Sequence, residues 1–372
     1  MNIGIGALAT SNREGVRQSG IHRYAIELVG HLGSALGDDR AVVYSGSTLN
    51  EAGSRSISVR RPSIPVEHPA MRIAWEILAL PPRARRDRID LFHGLAFTSP
   101  PAIGVPSIVT IHDLAFLRWP EQVPGRRSQY LSRMVRNSAR RAEQIIAVSE
   151  YTKQDVVELL GVPGERIDVT PLGVSESMRR AGEEAIAAFR TWQSLSNPLI
   201  LAVGNLEPRK NLTALVQAFS SVAKQVPHDL VLVGAEGWRT DAMHQALEDS
   251  RIHGRVRLTG FVGPEELPLW YSACDFFVIP SLYEGFGLTL LEALACGAPA
   301  IAANRASLPE VAGDAAVLVD PDAESLAAAL VTLAENQDLK DQLSAKGPLQ
   351  AAHFTWQRTA ELTVASYRKA LS

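Results

Sequence analysis

The chain has 372 residues, 46% of them hydrophobic and 21% charged, which excludes intrinsic disorder and, at about 100–200 residues per domain, sets an expectation of two domains. The net charge of −3 hides an asymmetry: residues 1–180 carry 23 Lys and Arg against 18 Asp and Glu, whereas residues 181–372 carry 14 against 22. Two cysteines, Cys274 and Cys296, exclude a disulfide framework and a four-cysteine zinc site, and no apolar run approaches the ~20 residues that a membrane span needs.

The start, Met1-Asn2-Ile3-Gly4-Ile5-Gly6, has no basic leader before an apolar segment, so a cytoplasmic location is expected. Short apolar runs predict strands over Asn2–Leu8, Ala41–Tyr44, Leu91–His93, Ser107–Ile111 and Gln144–Val148. A Gly, Ser and Arg loop, Ala9 to Ser19, separates the first strand from an amphipathic helix over Ile21–Leu32, with Ser19 placed to cap it. His93 and His112 fall at strand ends, where an open parallel sheet presents ligand-facing residues, although a histidine there is also a common structural hydrogen-bonding residue.

Two arginine clusters stand out in this half. One holds Arg83, Arg85, Arg86 and Arg88; the other holds Arg126, Arg127, Arg133, Arg136, Arg140 and Arg141 with no acid between them. They read either as solvated helix faces or as contacts for an anionic partner, such as a phosphate on a lipid-linked acceptor or a membrane surface at ~1 kcal/mol per basic residue. Nucleic acid is disfavoured, because the total charge is negative and only Tyr130 is interleaved.

The rhythm breaks between Pro171 and Pro198, where a linker is expected. Strands resume over Leu199–Val203, Asp229–Val233, Val256–Thr259, Phe276–Val278, Pro299–Ala302 and Ala316–Val319, with amphipathic segments at Asn211–Lys224, Leu288–Cys296 and Glu324–Glu335. Alternating strands and helices predict an α/β fold of two doubly wound Rossmann-like domains with right-handed crossovers. The expected division is 1–175, 176–352 and a terminal helix over 353–372 that either stays on its own domain or crosses back to the first. Ligands bind at the carboxyl edges of such sheets, so the cleft between domains is the expected site.

Gly204-Asn205-Leu206-Glu207-Pro208-Arg209-Lys210-Asn211 follows a strand and precedes a helix, with Asn211 as the expected N-cap. A helix start beside an arginine and a lysine suits a diphosphate, though a solvated Arg-Lys pair would look the same. In Ser281–Glu292, two glycines flank Phe286 and an apolar helix follows, ended by Gly297. Glu292 lies among Leu290, Leu291, Ala293 and Leu294, and a carboxylate in so apolar a helix needs partners unless it faces solvent.

These motifs carry a resemblance. Residues 204–211, the pair Glu284 and Glu292, and Asn304–Gly313 resemble retaining glycosyltransferases of family 4 with the GT-B fold, and the likeness covers nearly the whole chain. Asp90–Gly94, Thr110–Leu114 and Ser149–Thr152 are most similar to bacterial mannosyltransferases that build O-antigen and other surface polysaccharides.

The resemblance implies a hexosyltransferase. It moves mannose from GDP-mannose to a lipid-linked or oligosaccharide acceptor in lipopolysaccharide synthesis, with retention and without a metal or other cofactor. Arg209 and Lys210 match the diphosphate-binding pair and Glu284 the residue contacting donor sugar hydroxyls. Phe286, Gly287 and Leu288 match the turn facing the donor, and Glu292 the ribose carboxylate. Gly204 and Asn205 fall in the donor loop, Phe261 and Val262 where the base is received, and Gly20 in the loop that closes over the diphosphate. This chain has Ser19-Gly20 where many relatives carry two glycines.

His112 is expected near the reacting centre, and His93, Arg126 and Arg127 on the acceptor side. Peripheral contact with an anionic membrane through first-domain arginines is also expected. No DxD-like pair stands at a strand end, since Asp38-Asp39 lies in a turn-like stretch, and no carboxylate nucleophile stands out. Other expected readings are a GDP- or dTDP-deoxyhexose or UDP-sugar transferase, a sugar-nucleotide epimerase of the same architecture, and a protein that binds a nucleotide sugar without turning it over.

Overall fold

The computed structural model spans Met1–Ser372 and describes all residues except 9–19, 47–55, 63, 65, 67, 121–124, 238–239, 249–251 and 253, together with the side chains of 69, 125–128 and 130. The chain divides into two units, Met1–Gly173 with Thr355–Ser372, and Val174–Phe354.

The first unit holds strands β1 (Asn2–Ala7), β2 (Arg40–Ser45), β3 (Ile57–Arg60), β4 (Leu91–Gly94), β5 (Ser107–Ile111), β6 (Gln144–Ala147) and β7 (Ile167–Val169). They form a parallel sheet in the order β3-β2-β1-β4-β5-β6-β7, whose direction of winding reverses between β1 and β4. The central strands β4, β5 and β6 are buried along their whole length, which is why their sequences read as continuous apolar runs rather than alternating ones. The two edge strands escaped the sequence reading: β3 alternates Ile57-Ser58-Val59-Arg60 on a half-buried edge, and β7 has three residues.

The second unit holds β8 (Leu199–Val203), β9 (Asp229–Val233), β10 (Val256–Gly260), β11 (Phe276–Ile279), β12 (Ala300–Ala303) and β13 (Val317–Val319). Their order, β10-β9-β8-β11-β12-β13, repeats the same winding with its reversal between β8 and β11. Both units are therefore doubly wound Rossmann-like folds, as the alternation of elements implied.

The boundary between the units, after Gly173, falls within the stretch where a linker is expected, and the rest of that stretch belongs to the second unit. The helix Glu183–Trp192 buries Ile186 and Phe189 in the second unit, and Phe189 packs edge-on against Trp270 at 4.9 Å. The terminal helix Trp356–Leu371 packs on the helix Gly20–Leu36 of the first unit, with Ser34 Oγ donating to Gln357 Oε1 at 2.9 Å. Gly173 permits this return, because a Cβ there would lie 2.1 Å from the Trp356 backbone nitrogen. Among the described residues no helix is long and apolar enough to cross a membrane.

Candidate functional site

The carboxyl ends of β8, β10, β11 and β12 lie on one edge of the second sheet, and the motifs singled out in this half all follow those ends. After β8 the chain makes a 3-10 turn, Pro208–Lys210, and enters the helix Leu212–Val222. After β11 it makes the turn Ser281–Gly287 and enters the helix Leu288–Ala295.

These two turns meet at Glu284. Its Oε1 accepts from Lys210 Nζ at 2.5 Å and from Ser281 Oγ at 2.7 Å, and its Oε2 accepts from Arg209 Nη1 at 3.1 Å. Arg209 also donates to Tyr283 O and, through Nε, to Glu207 Oε2 at 3.1 Å, so the guanidinium is held flat across the turn. Burial alone would raise the Glu284 carboxyl. The charges of Lys210 and Arg209, with the hydrogen bonds from Lys210 and Ser281, outweigh it and hold the pKa at about 2. Glu284 is therefore a fixed anion, able to accept hydrogen bonds and unable to donate a proton at neutral pH.

The next turn is shaped for backbone presentation. Gly287 has φ +104°, and a Cβ there would lie 2.8 Å from Leu308 Cδ2, so glycine is required. Phe286 is buried and packs edge-on against Phe354. Ser307, fully buried after β12, sets its hydroxyl against the carbonyls of both Glu284 and Phe286, at 2.9 and 2.8 Å. One hydroxyl, with a single proton to share between two carbonyls two residues apart, thus holds the second half of the loop that carries Glu284. Leu288, half-buried, opens the helix.

Glu292 does not face solvent. It is 2% exposed and accepts from the Tyr271 hydroxyl at 3.1 Å. Gly204 and Asn205 lie half-buried just beyond β8, with the Lys210 side chain passing over Gly204. Phe261 and Val262 follow β10, with Phe261 exposed at 55%.

Asn211 departs from its expected role. It adopts φ +55°, makes no side-chain cap, and instead donates Nδ2 to Pro280 O and Pro321 O, at 3.1 and 2.6 Å. An asparagine tolerates this left-handed conformation, and here its amide ties three sheet-edge loops together.

In the first unit His112 follows β5 and is buried against Tyr24 and Phe97. Its Nε2 lies 2.8 Å from Leu95 O, which can only accept, so Nε2 carries the proton and Nδ1 is left as an acceptor. Burial lowers its pKa, against the opposing effects of the Leu95 bond and Asp113, which favours the neutral ring.

His93, expected on the acceptor side, has both ring nitrogens engaged within the first unit. It is fully buried, with Nδ1 2.8 Å from the Tyr367 hydroxyl and Nε2 2.8 Å from Thr110 Oγ1. Burial and then the neighbouring His112 lower its pKa to about 3. Its work is to anchor the terminal helix to β4 and β5.

Gly20 opens the helix Gly20–Leu36, while Ser19 and the rest of the 9–19 loop lie outside the described residues. Arg126 and Arg127 belong to the helix Gly125–Arg141, with side chains outside the described set. Of the other cluster residues, Arg83 stacks on Trp75 and Arg136 donates to Leu159 O, so part of the charge has structural work. Arg85, Arg86, Arg133, Arg140 and Arg141 are exposed.

Ser281, Ser307 and Tyr271 were missed by the sequence reading. Serines and a tyrosine carry no periodic signal, and only position relative to a motif glutamate could have marked the first two.

A family model described as "Glycosyltransferase Family 4" matches residues 18–177, and one described as "Glycosyl transferases group 1" matches 197–336. The chain is similar to the O-antigen chain mannosyltransferase B of Escherichia coli, 31% identical over 94% of this chain and 96% of that protein. It is 30% identical, over 75% of its length, to the serotype-specific mannosyltransferase WbdA of Escherichia coli, covering 36% of that protein. Among solved structures, Anabaena HepE in complex with UDP and glucose superimposes with a TM-score of 0.75 at 20% identity, covering 99% of both chains.

Proposed function

Because the chain belongs to glycosyltransferase family 4 and has the two Rossmann-like units of the GT-B type, we propose that it moves mannose from GDP-mannose to a lipid-linked or oligosaccharide acceptor in cell-surface polysaccharide synthesis. The observation that carries this reading is the Arg209–Glu284–Lys210 cluster at the point where the second sheet reverses its winding. The likeness to an O-antigen mannosyltransferase along nearly the whole chain supports mannose as the sugar.

Transfer from a nucleotide sugar develops negative charge on the departing diphosphate, and stabilising that charge is the largest electrostatic demand. Arg209 and Lys210 meet it directly, so no metal is required. Glu284 stays ionised and accepts hydrogen bonds from donor hydroxyls. A carboxylate held by two cations is a poor nucleophile, which favours same-face attack with retention over a covalent intermediate. Glu292 holds the ribose diol, Phe261 and Val262 border the base, and the open Nδ1 of neutral His112 accepts from a sugar hydroxyl near the anomeric carbon. Gly20 and its loop close over the diphosphate. The first unit receives the acceptor. Its exposed arginines, at ~1 kcal/mol each near an anionic surface, hold the enzyme at the inner face of the cytoplasmic membrane.

The test is nucleotide release from a panel of GDP-, UDP- and dTDP-sugars, with and without a polyprenyl-linked acceptor extract. Release from GDP-mannose that rises with acceptor is expected. Release from another donor alone replaces the sugar, and release from none overturns the transferase reading.

A further inference from the structure

The first unit carries a helix that is irregular in its middle. Residues Pro69–Ala74 and Leu80–Arg86 are α-helical, and Trp75–Ala79 between them form a π-turn. Pro81 and Pro82 have no amide hydrogen, so the carbonyls of Ile77 and Leu78 lose their usual partners, and the Leu80 N–H reaches back five residues to Trp75 O. Such wide turns cost helix stability and recur at functional sites.

This one forms the wall of a cavity of about 270 Å³. The cavity lies at the ends of β1 and β4, beside Gly6 and Gly94, where the first sheet reverses its winding. At ~30 Å³ per water the space holds about nine waters, the bulk of a single sugar ring.

Its lining is divided. Ile77, Phe97, Leu131 and Met134 give it apolar faces. Glu76 and, one turn earlier, Arg72 line it with charge. The Glu76 side chain is half-buried and makes no hydrogen bond or ion pair with any described residue. Burial raises its carboxyl, with Arg72 opposing. A carboxyl in this setting needs donors. A hydrocarbon tail has none, and a phosphate drawn to Arg72 would set a second anion beside Glu76. A pyranose offers several hydroxyl donors and a C–H face for the apolar walls.

We propose that this cavity binds a neutral pyranose of the acceptor, with Glu76 accepting hydrogen bonds from its hydroxyls. This assignment rests on the transferase reading above and adds the residue that recognises the acceptor sugar.

The test measures binding directly, apart from turnover. Saturation-transfer NMR titrations of methyl α-mannopyranoside are run on the full chain, its Glu76→Gln variant and its Ile77→Trp variant, which fills the cavity, with circular dichroism confirming the fold of each. Binding to the wild type that weakens at least tenfold in both variants supports the site. No binding to the wild type, or equal binding to the variants, overturns it. The donor panel fails or succeeds independently, so a chain that binds the glycoside but releases no nucleotide would overturn the transferase reading and, with it, the acceptor role, leaving only a pyranose-binding cavity.

Discussion

The ammonium of Lys210 lies 2.5 Å from Oε1 of Glu284, 74 positions along the chain, and Arg209 takes the other carboxylate oxygen. The two cations proposed for the leaving diphosphate and the anion proposed for the sugar thus hold one another. The cations keep the carboxylate ionised, and each partner orients the other.

Removing either cation tests the leaving-group role. Lys210→Ala or Arg209→Ala is expected to lower kcat by ~10²–10³-fold, the usual cost of losing one preorganised charge-stabilising donor. Steady-state nucleotide release checks this. Near-normal turnover in either variant refutes the assignment.

The pKa of Glu284 gives a pH signature. Its folded value of about 2 lies below the ordinary 4.5, so the group adds stability that is complete above ~4.5 and lost as pH falls toward 2. The full effect is about 3 kcal/mol. Urea midpoints of the wild type should therefore fall across this window, and those of Glu284→Gln should fall less. Parallel curves would show that the pair does not hold the carboxyl down.

Ser307 is a positioning residue, since it touches only the backbone of the loop. Ser307→Ala should cost about 1–3 kcal/mol of stability by removing the one hydroxyl proton that the buried carbonyls share. It should also lower kcat more than it raises the donor KM, because the loop is released rather than a contact removed. An equal loss of stability with unchanged kcat would leave Ser307 purely structural.

Tyr271→Phe removes the hydroxyl that holds Glu292. A hydrogen bond to a charged group contributes ~1.5–3 kcal/mol, so the donor KM is expected to rise roughly tenfold with kcat little changed. A change confined to kcat would contradict a ribose-binding role for Glu292.

His93 should behave as an anchor. Tyr367→Phe breaks its Nδ1 bond, and the expected loss is about 1–3 kcal/mol of stability, read by thermal melting, with the acceptor KM unchanged. A rise in that KM would restore an acceptor-side role.

Much of the fold was legible because buried parallel strands are continuous apolar runs, and runs such as Ser107–Ile111 and Leu199–Val203 need no distant information to be recognised. The glutamates of the site were legible for a related reason: Glu292 stands alone in an apolar helix, and Glu284 sits between a strand and a glycine turn. Arg209 and Lys210 were marked by their strand-to-helix junction.

By itself, then, the sequence determined the two wound sheets, the edge on which the motifs of the second unit fall and the identities of their charged residues, since each is written in local spacing. Tertiary structure decided the partners. It placed His93 between Thr110 and Tyr367, turned Asn211 from a cap into a bridge between loops, returned the terminal helix to the first unit and set Ser307 under the Glu284 loop. These pairings join residues tens to hundreds of positions apart. They are fixed by strand order and by the need of each buried polar atom for a partner, and neither is encoded in the period of any one segment.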